Sequence, residues 1–89
     1  MQFRWNEWNI EHIGQHGVSP DEAELVVRHA KRPYPLHRDD DKWLVWGPGR
    51  GGRLVQVVFV IDEDDSLFVI HARALTEKEK KRYRKRSTT

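Results

Sequence analysis

The sequence contains no cysteine and a single methionine among its 89 residues. The absence of thiols excludes disulfide bonds, thiolate metal sites and a cysteine nucleophile. Long hydrophobic runs are also missing, because the longest apolar stretch, around Val57–Ile61, is far too short to span a membrane. Met1 leads directly into a mixed polar and aromatic segment, so we expect no secretory signal. These absences predict a cytoplasmic protein that does not associate with membranes.

The length of the chain predicts one domain with a limited core. A domain of this size buries roughly 60–70% of the surface that its unfolded chain exposes. Four Trp, three Phe and two Tyr offset this limit, because each large aromatic side chain buries roughly 150–250 Å². We expect a single domain over residues 1–86 and a disordered tail over residues 87–89.

Charge is distributed unevenly along the chain, although the formal net charge is only +2. Residues 1–75 hold nine Lys and Arg against twelve Asp and Glu, whereas residues 76–89 hold seven against two. A mildly acidic body with a cationic end is typical of a protein that binds a polyanion or an acidic partner protein. A solvated tail is the simpler alternative.

Helical periodicity dominates the first third of the chain. A possible short strand at Phe3–Trp5 precedes a predicted helix over residues 6–15, which ends before Gly17. One face of this helix carries Trp5, Trp8, His12 and Ile13. Ser19 then caps a second helix with Pro20 at its first position, and Glu22 is placed to bond back to the cap amide. The predicted core face of the second helix consists of Ala23, Val26, Val27 and Ala30.

Beyond Pro33 and Pro35 the hydrophobic period changes from helical spacing to two. The predicted strands are a possible edge strand at Tyr34–Arg38, then Lys42–Trp46, Arg53–Ile61 and Leu67–Leu75. Short connections favour antiparallel pairing of successive strands. Thr76 and Glu79 form a second capping-box pattern, which predicts a final helix to about Lys85. The fold class is therefore α+β: two N-terminal helices, an antiparallel sheet of three to five strands and a C-terminal basic helix.

Several segments of the chain resemble, in the same order, the BrnT family of toxins. They are Phe3–Trp5, His16–Pro20 with Glu22 and Ala23, Arg53 and Leu54 before the strand at Val57–Val60, and Val69–Leu75 with Glu79 and Tyr83. The chain differs from the common family pattern in having Gln15 in place of Lys and His71 in place of a small hydroxyl residue. The resemblance implies a RelE/ParE-like fold and a type II toxin that cleaves RNA without a metal and so inhibits translation. It also implies a cognate antitoxin as partner, in a homodimer or a toxin–antitoxin hetero-oligomer, and no cofactor.

Four residues near the junction of the last strand and the last helix are the candidate catalytic set. His71 and Arg73 lie two apart on a strand and so share a face, and Glu79 and Tyr83 lie four apart on a helix. Cleavage of RNA needs a base for the 2′-hydroxyl, cations for the phosphate and an acid for the leaving oxygen. In this hypothesis Arg73 stabilises the phosphate, Glu79 or His71 handles protons, and Tyr83 positions the substrate. The structural alternative is that Arg73 bridges to Glu79 while Tyr83 anchors the helix.

The cationic end of the chain is the predicted RNA-binding surface. Neutralising phosphates with Lys and Arg releases counterions and so drives binding. The candidate RNA-binding residues are Arg53, Lys78, Lys81, Arg82 and Arg86. The glycine-rich segment 47–53 lacks the Gly-Lys-Ser/Thr ending of a nucleotide-binding loop, so we interpret it as a hairpin turn.

Metal binding is a weaker hypothesis. His12 and His16 have the spacing of metal ligands on a helix, but no third ligand is evident. The acidic turns at Asp39–Asp41 and Asp62–Asp65 are more typical of solubilising residues beside hydrophobic strands. The rival class of function is a non-catalytic module of the same fold that binds a partner protein or nucleic acid.

Overall fold

The computed structural model describes residues 1–87, with only the backbone of Ser87. Its elements are β1 (Phe3–Arg4), α1 (Glu7–Gly14), α2 (Pro20–Arg28), β2 (Leu36–His37), β3 (Lys42–Pro48), β4 (Leu54–Ile61), β5 (Leu67–Ala74) and α3 (Glu77–Ser87). The predicted α+β class is confirmed, with two helices before the long strands and one after them. Of the expected tail, residues 88 and 89 lie outside the described residues.

The five strands form one sheet in the order β1-β5-β4-β3-β2. The hairpin-connected strands pair antiparallel, as predicted, but β1 pairs parallel to β5. The prediction of an antiparallel sheet is therefore wrong at this edge, and the sheet is mixed. Short connections fix the direction of neighbouring strands, whereas β1 and β5 are separated by most of the chain, so no hairpin dictates their direction.

The glycine-rich segment begins later than predicted, because β3 continues past Trp46. Gly47 pairs with Val55 and Pro48 with Leu54. A proline is tolerated here because β2 pairs with β3 only at Trp43 and Leu44, which leaves the other edge of Pro48 outside the sheet. A short 3₁₀ turn at Arg50–Gly52 then leads into β4.

The two faces of the sheet differ in composition. Directly opposed residues on paired strands share a face, and the register assigns Val45, Val55, Val57, Phe59, Val69 and Ala72 to what we call the inner face. All six are buried, and α2 packs on this face. We call the other side the outer face, which carries Leu44, Trp46, Gln56, Val58, His71 and Arg73.

An irregularity in β5 adjusts the alternation of its side chains. Val58 of β4 opposes His71, but the next residue, Phe59, opposes Val69, so Ile70 is an extra residue in β5. A bulge of this kind bends the strand and changes the direction of the side chains beyond it. Because of it, Val69 and Ala72 are both buried on the inner face although they lie three residues apart.

Of the three capping interactions that the sequence predicts, two are present in the structure. Thr76 and Glu79 exchange backbone-to-side-chain hydrogen bonds at 2.9 and 3.2 Å, so the capping box of α3 is confirmed. The Ser19 hydroxyl accepts from the amide of Glu22 at 3.2 Å, as predicted. The predicted bond from the Ser19 amide to the Glu22 carboxylate is wrong, since this carboxylate accepts from Arg53 and from the Arg50 amide instead. A charge-assisted bond to Arg53 is stronger than a bond to a neutral cap amide.

Apolar and aromatic contacts hold the basic helix α3 against the sheet. Leu75, just before it, is buried. The ring of Tyr83 stacks on Tyr34 with 6.0 Å between centroids, and the Arg86 guanidinium lies 5.9 Å from the centroid of Trp46. No helix within residues 1–87 is long and apolar enough to cross a membrane.

Candidate active site

His71 and Arg73 lie together on the outer face of the sheet, as their spacing predicts. His71 opposes Val58 and Arg73 opposes Gln56, and these two partners lie two apart on β4. Both side chains are half-buried. A histidine and an arginine on one half-buried surface provide a proton acceptor and a fixed cation, the pair that phosphodiester chemistry requires.

Arg73 and Glu79 form a bidentate ion pair. Its two terminal nitrogens donate to the two carboxylate oxygens at 2.7 and 2.9 Å. The same nitrogens also donate to the Ala74 carbonyl at 3.1 Å and to the Gln56 side chain at 3.4 Å. A guanidinium has five N–H donors, and these four bonds do not use the Nε–H of Arg73. The alternative that Arg73 bridges to Glu79 is therefore confirmed, and among the contacts of the described residues the Nε–H is left for a ligand.

Glu79 is an ionised carboxylate rather than a proton carrier. The hydrogen bond from Arg73 is the largest cause that lowers the pKa of Glu79 to about 2, and the Thr76 amide lowers it further. A group with this pKa is deprotonated throughout the neutral range and is a poor acid or base there. Of the two residues predicted to handle protons, the geometry favours His71.

Tyr83 lies at the end of the outer face against Tyr34. Burial raises the pKa of the Tyr83 phenol, and the nearby Tyr34 phenol adds to the effect. The Tyr34 hydroxyl is buried without a hydrogen-bond partner in the described structure. Tyr83 therefore remains a neutral phenol that can donate a hydrogen bond, while its ring anchors α3.

Three histidine rings meet beside β5, an arrangement that the sequence analysis did not foresee. The centroid of the His71 ring lies 5.4 Å from that of His16 and 6.3 Å from that of His12. The i, i+4 spacing of His12 and His16 was visible, but their proximity to His71 depends on how α1 packs along β5. Within residues 1–87, no group of three or more His, Cys, Asp or Glu residues has an arrangement that fits a metal ion.

His71 is the member of this cluster whose charged form is disfavoured. Partial burial lowers the pKa of His71, and the positive charges of His16, Arg73 and His12 lower it further, in that order. The imidazole is thus neutral at a pH where an ordinary histidine begins to protonate. A neutral imidazole beside a cation has the properties of a general base.

The predicted RNA-binding cations divide into two groups. Lys78, Lys81 and Arg82 are exposed on α3. Arg53 and Arg86 are also exposed, but Arg53 donates to the buried carboxylate of Glu22 and to the Gly17 carbonyl at 2.8 Å, and Arg86 lies over Trp46. The charges of Lys78, Lys81 and Arg82 are therefore the part of this surface that is most available to a polyanion.

A buried ion pair near the glycine-rich loop is a second feature that the sequence analysis missed. The Glu22 side chain is only 4% exposed and accepts from Arg53 and from the Arg50 amide. The bond from Arg53 lowers the pKa of the Glu22 carboxyl. Gly49 leaves the space for this carboxylate, because a Cβ at that position would overlap it. This contact anchors the β3–β4 connection to α2 and to the turn that follows His16.

The sheet, the three helices and the surface on the outer face define a small α+β protein with a candidate phosphodiester-binding site. No protein-family model matches the chain, and no curated protein matches it. Among solved structures it is similar to the ribonuclease toxin BrnT of Brucella abortus, with a TM-score of 0.69 and 23% sequence identity over 86% of this chain and 99% of that chain. The chain therefore has the BrnT fold, and the fold expected from the resemblance is confirmed.

Proposed function

We propose that this protein is a BrnT-type toxin, an endoribonuclease that cleaves RNA without a metal and so inhibits translation. The observation that carries the proposal is the pairing of a neutral His71 with the charged, clamped Arg73 on the outer face of a BrnT fold. Its cellular partners would be RNA as substrate and a cognate antitoxin, in the cytoplasm. A RelE/ParE-like architecture, which the resemblance to the BrnT family implies, is part of the same proposal.

The chemistry begins with proton transfer to His71. The imidazole takes the proton of a ribose 2′-hydroxyl, and the 2′-oxygen attacks the adjacent phosphorus. Negative charge grows on the phosphoryl oxygens, where the guanidinium of Arg73 stabilises it through its charge and its Nε–H. The bond from phosphorus to the 5′-oxygen then breaks, which leaves a 2′,3′-cyclic phosphate and a 5′-oxygen that must take up a proton to form the 5′-hydroxyl end.

Glu79 and Tyr83 support this step without exchanging protons. Glu79 holds the guanidinium plane of Arg73 in one orientation through its two hydrogen bonds. Tyr83 fixes α3 against Tyr34 and presents a neutral phenol that positions the substrate. The exposed cations Lys78, Lys81 and Arg82 attract the RNA backbone toward the site.

The test is cleavage of a single-stranded RNA by purified protein in the presence of EDTA. We expect 2′,3′-cyclic phosphate ends from the wild type and a loss of about 100- to 1,000-fold in rate for Arg73→Ala, the range typical of a lost electrostatic stabiliser. Arg38→Ala, at an exposed arginine of the β2–β3 connection, is the matched control and should cleave normally. Intact RNA with folded wild-type protein would refute the enzymatic proposal.

A second candidate function is a non-catalytic module of the same fold. The observation that favours it is the near-complete use of the Arg73 donors within the protein, by Glu79, Ala74 and Gln56. This reading predicts that the wild type binds RNA or a partner protein with no cleavage, and that expression of the protein does not arrest growth. Growth arrest relieved by Arg73→Ala would favour the toxin.

A further inference from the structure

We propose that His16 is a second catalytic residue, the general acid that protonates the leaving 5′-oxygen when RNA is cleaved. This inference rests on the proposed ribonuclease function and deepens it, because the mechanism above leaves the leaving group without a proton donor. It assigns the two halves of the proton transfer to two different elements, β5 and the turn that closes α1.

The cluster geometry places His16 within reach of the same phosphate as His71. The centroids of the two rings are 5.4 Å apart and the rings are inclined at 63°. His16 is exposed, whereas His71 is half-buried beneath it on the outer face. The charged and titratable groups that face His71 are His12 from α1, His16 from the turn that follows α1 and Arg73 on its own strand, while β4 presents Gln56 and Val58.

His16 is better placed than His12 for this role. The ring of His12 lies flat against Trp8, with 5.0 Å between centroids and an interplanar angle of 7°, and it is farther from His71. The ring of Trp8 in turn stacks on Phe68. His12 is therefore held by an aromatic stack, while the side chain of His16 extends from an exposed turn.

The backbone fixes the position of that turn. The amide of His16 donates to the Ile13 carbonyl at 3.0 Å, and Gly17 follows with a positive φ of 73°. Glycine adopts this conformation without the strain that a Cβ would add. On the far side, the Gly17 carbonyl accepts from Arg53, which is itself bound to buried Glu22. The imidazole of His16 thus extends from a segment with defined backbone contacts on both sides.

The protons balance across the two residues. Burial and cationic neighbours disfavour a proton on His71, so His71 is the acceptor for the 2′-hydroxyl proton. As the phosphorus–oxygen bond breaks, the imidazolium of His16 gives its proton to the departing 5′-oxygen. After turnover His71 loses its proton to water and His16 takes one up from water, which restores the starting state.

The test compares two dinucleotide substrates that differ only in the leaving atom. One carries the natural 5′-oxygen, and the other carries sulfur in its place, which departs as a thiolate and needs no proton. For His16→Gln we expect a loss of about 100-fold or more on the oxygen substrate, the scale of general acid catalysis, and little loss on the sulfur substrate. His71→Gln should lose activity on both, because the attacking 2′-hydroxyl still needs a base.

Matched controls separate this role from a structural one. His12→Gln removes the neighbouring imidazole and His29→Gln an exposed one at the end of α2, and neither should distinguish the two substrates. The urea unfolding curve of His16→Gln verifies its fold. Normal cleavage of the oxygen substrate by His16→Gln, or an equal loss on both substrates, would overturn the inference while the ribonuclease proposal stands. If folded wild type cleaves neither substrate, both proposals fail.

Discussion

Arg73 and Glu79 join the last strand to the last helix through two parallel hydrogen bonds, from the two terminal nitrogens to the two carboxylate oxygens at 2.7 and 2.9 Å. Glu79 also accepts from the Thr76 amide at 2.9 Å, so one carboxylate both caps α3 and orients the guanidinium. Since α3 has little apolar surface, this pair decides how the basic helix is attached beside the site.

Replacing Glu79 by Gln should weaken both the fold and the site. We expect Glu79→Gln to lower the free energy of unfolding by about 1–3 kcal/mol, the scale of a hydrogen bond to a charged group, and to reduce RNA cleavage because Arg73 loses its orientation. Glu77→Gln is the control, because that carboxylate is 82% exposed and pairs with Lys80 at the surface. Urea unfolding and cleavage rates measure both effects. Equal stability of the two variants would contradict this account.

The same carboxylate makes stability depend on acid pH. The pKa of Glu79 is lowered from 4.5 to about 2 in the folded protein, so its contribution is complete above the unfolded value of 4.5 and is lost as the pH falls toward 2. The contribution is at most about 3 kcal/mol. In urea unfolding at pH 6, 4 and 3, the difference between wild type and Glu79→Gln should shrink steadily. A constant difference would show that Glu79 is not the responsible group.

Gly49 is predicted to be intolerant of any side chain. A Cβ there would overlap the Glu22 carboxylate, which cannot move aside because Arg53 and the Arg50 amide hold it. Gly49→Ala should therefore destabilise the protein by about 1–3 kcal/mol, the usual range for overpacking.

The control for Gly49→Ala is Gly14→Ala in the last turn of α1. A Cβ at Gly14 meets nothing within 4 Å, and alanine is favoured over glycine in a helix by up to about 1 kcal/mol. Thermal unfolding should place Gly14→Ala at or above the wild type and Gly49→Ala well below it. The reverse order would mean that the Glu22 contact is not rigid.

His71 should titrate below the usual range for histidine. Burial, then His16, Arg73 and His12, lower the pKa of His71. In a proton NMR titration the His71 ring should change charge at lower pH than an ordinary histidine, and Arg73→Gln should move the midpoint upward. If His71 is the base, kcat/KM should rise with pH through this same lowered midpoint. If kcat/KM does not rise with pH through the midpoint that NMR gives for His71, then His71 is not the general base.

The exposed cations of α3 should control the salt dependence of RNA binding. A phosphate contact to single-stranded nucleic acid contributes roughly 0.7 to the slope of log affinity against log salt concentration. Replacing Lys78, Lys81 and Arg82 together by Gln should reduce that slope by up to about 2, while folding is unchanged because all three are exposed. Fluorescence anisotropy with a short RNA measures the slope. An unchanged slope would exclude these three cations as contacts to RNA phosphates.

Local signals in the sequence predicted much of the fold. The caps at Ser19 and Thr76 marked the starts of two helices, because a hydroxyl at the N-cap pairs with amides only a few residues away. Alternating apolar residues predicted β4 and β5 and also placed His71 and Arg73 on one face. The pairing of Arg73 with Glu79 was foreseen as an alternative, since only six residues separate them.

Features that depend on long-range contacts could not be predicted in this way. The parallel pairing of β1 with β5, the ion pair of Glu22 with Arg53 and the meeting of His71 with His16 join residues that lie far apart in the chain. Each depends on how the helices pack on the sheet, which no local pattern of hydrophobicity or capping encodes.

The sequence by itself determined the α+β class, the helix caps, the cationic end and the pairing of His71 with Arg73, because each follows from spacing along a helix or a strand. Only the tertiary structure decided the role of Glu79, which is an ionised carboxylate with a pKa of about 2 that orients the guanidinium of Arg73. It also decided that the turn after α1 brings the His16 ring to a centroid distance of 5.4 Å from the His71 ring. Both outcomes arise from burial and proximity, and these exist only once the helices have packed against the sheet.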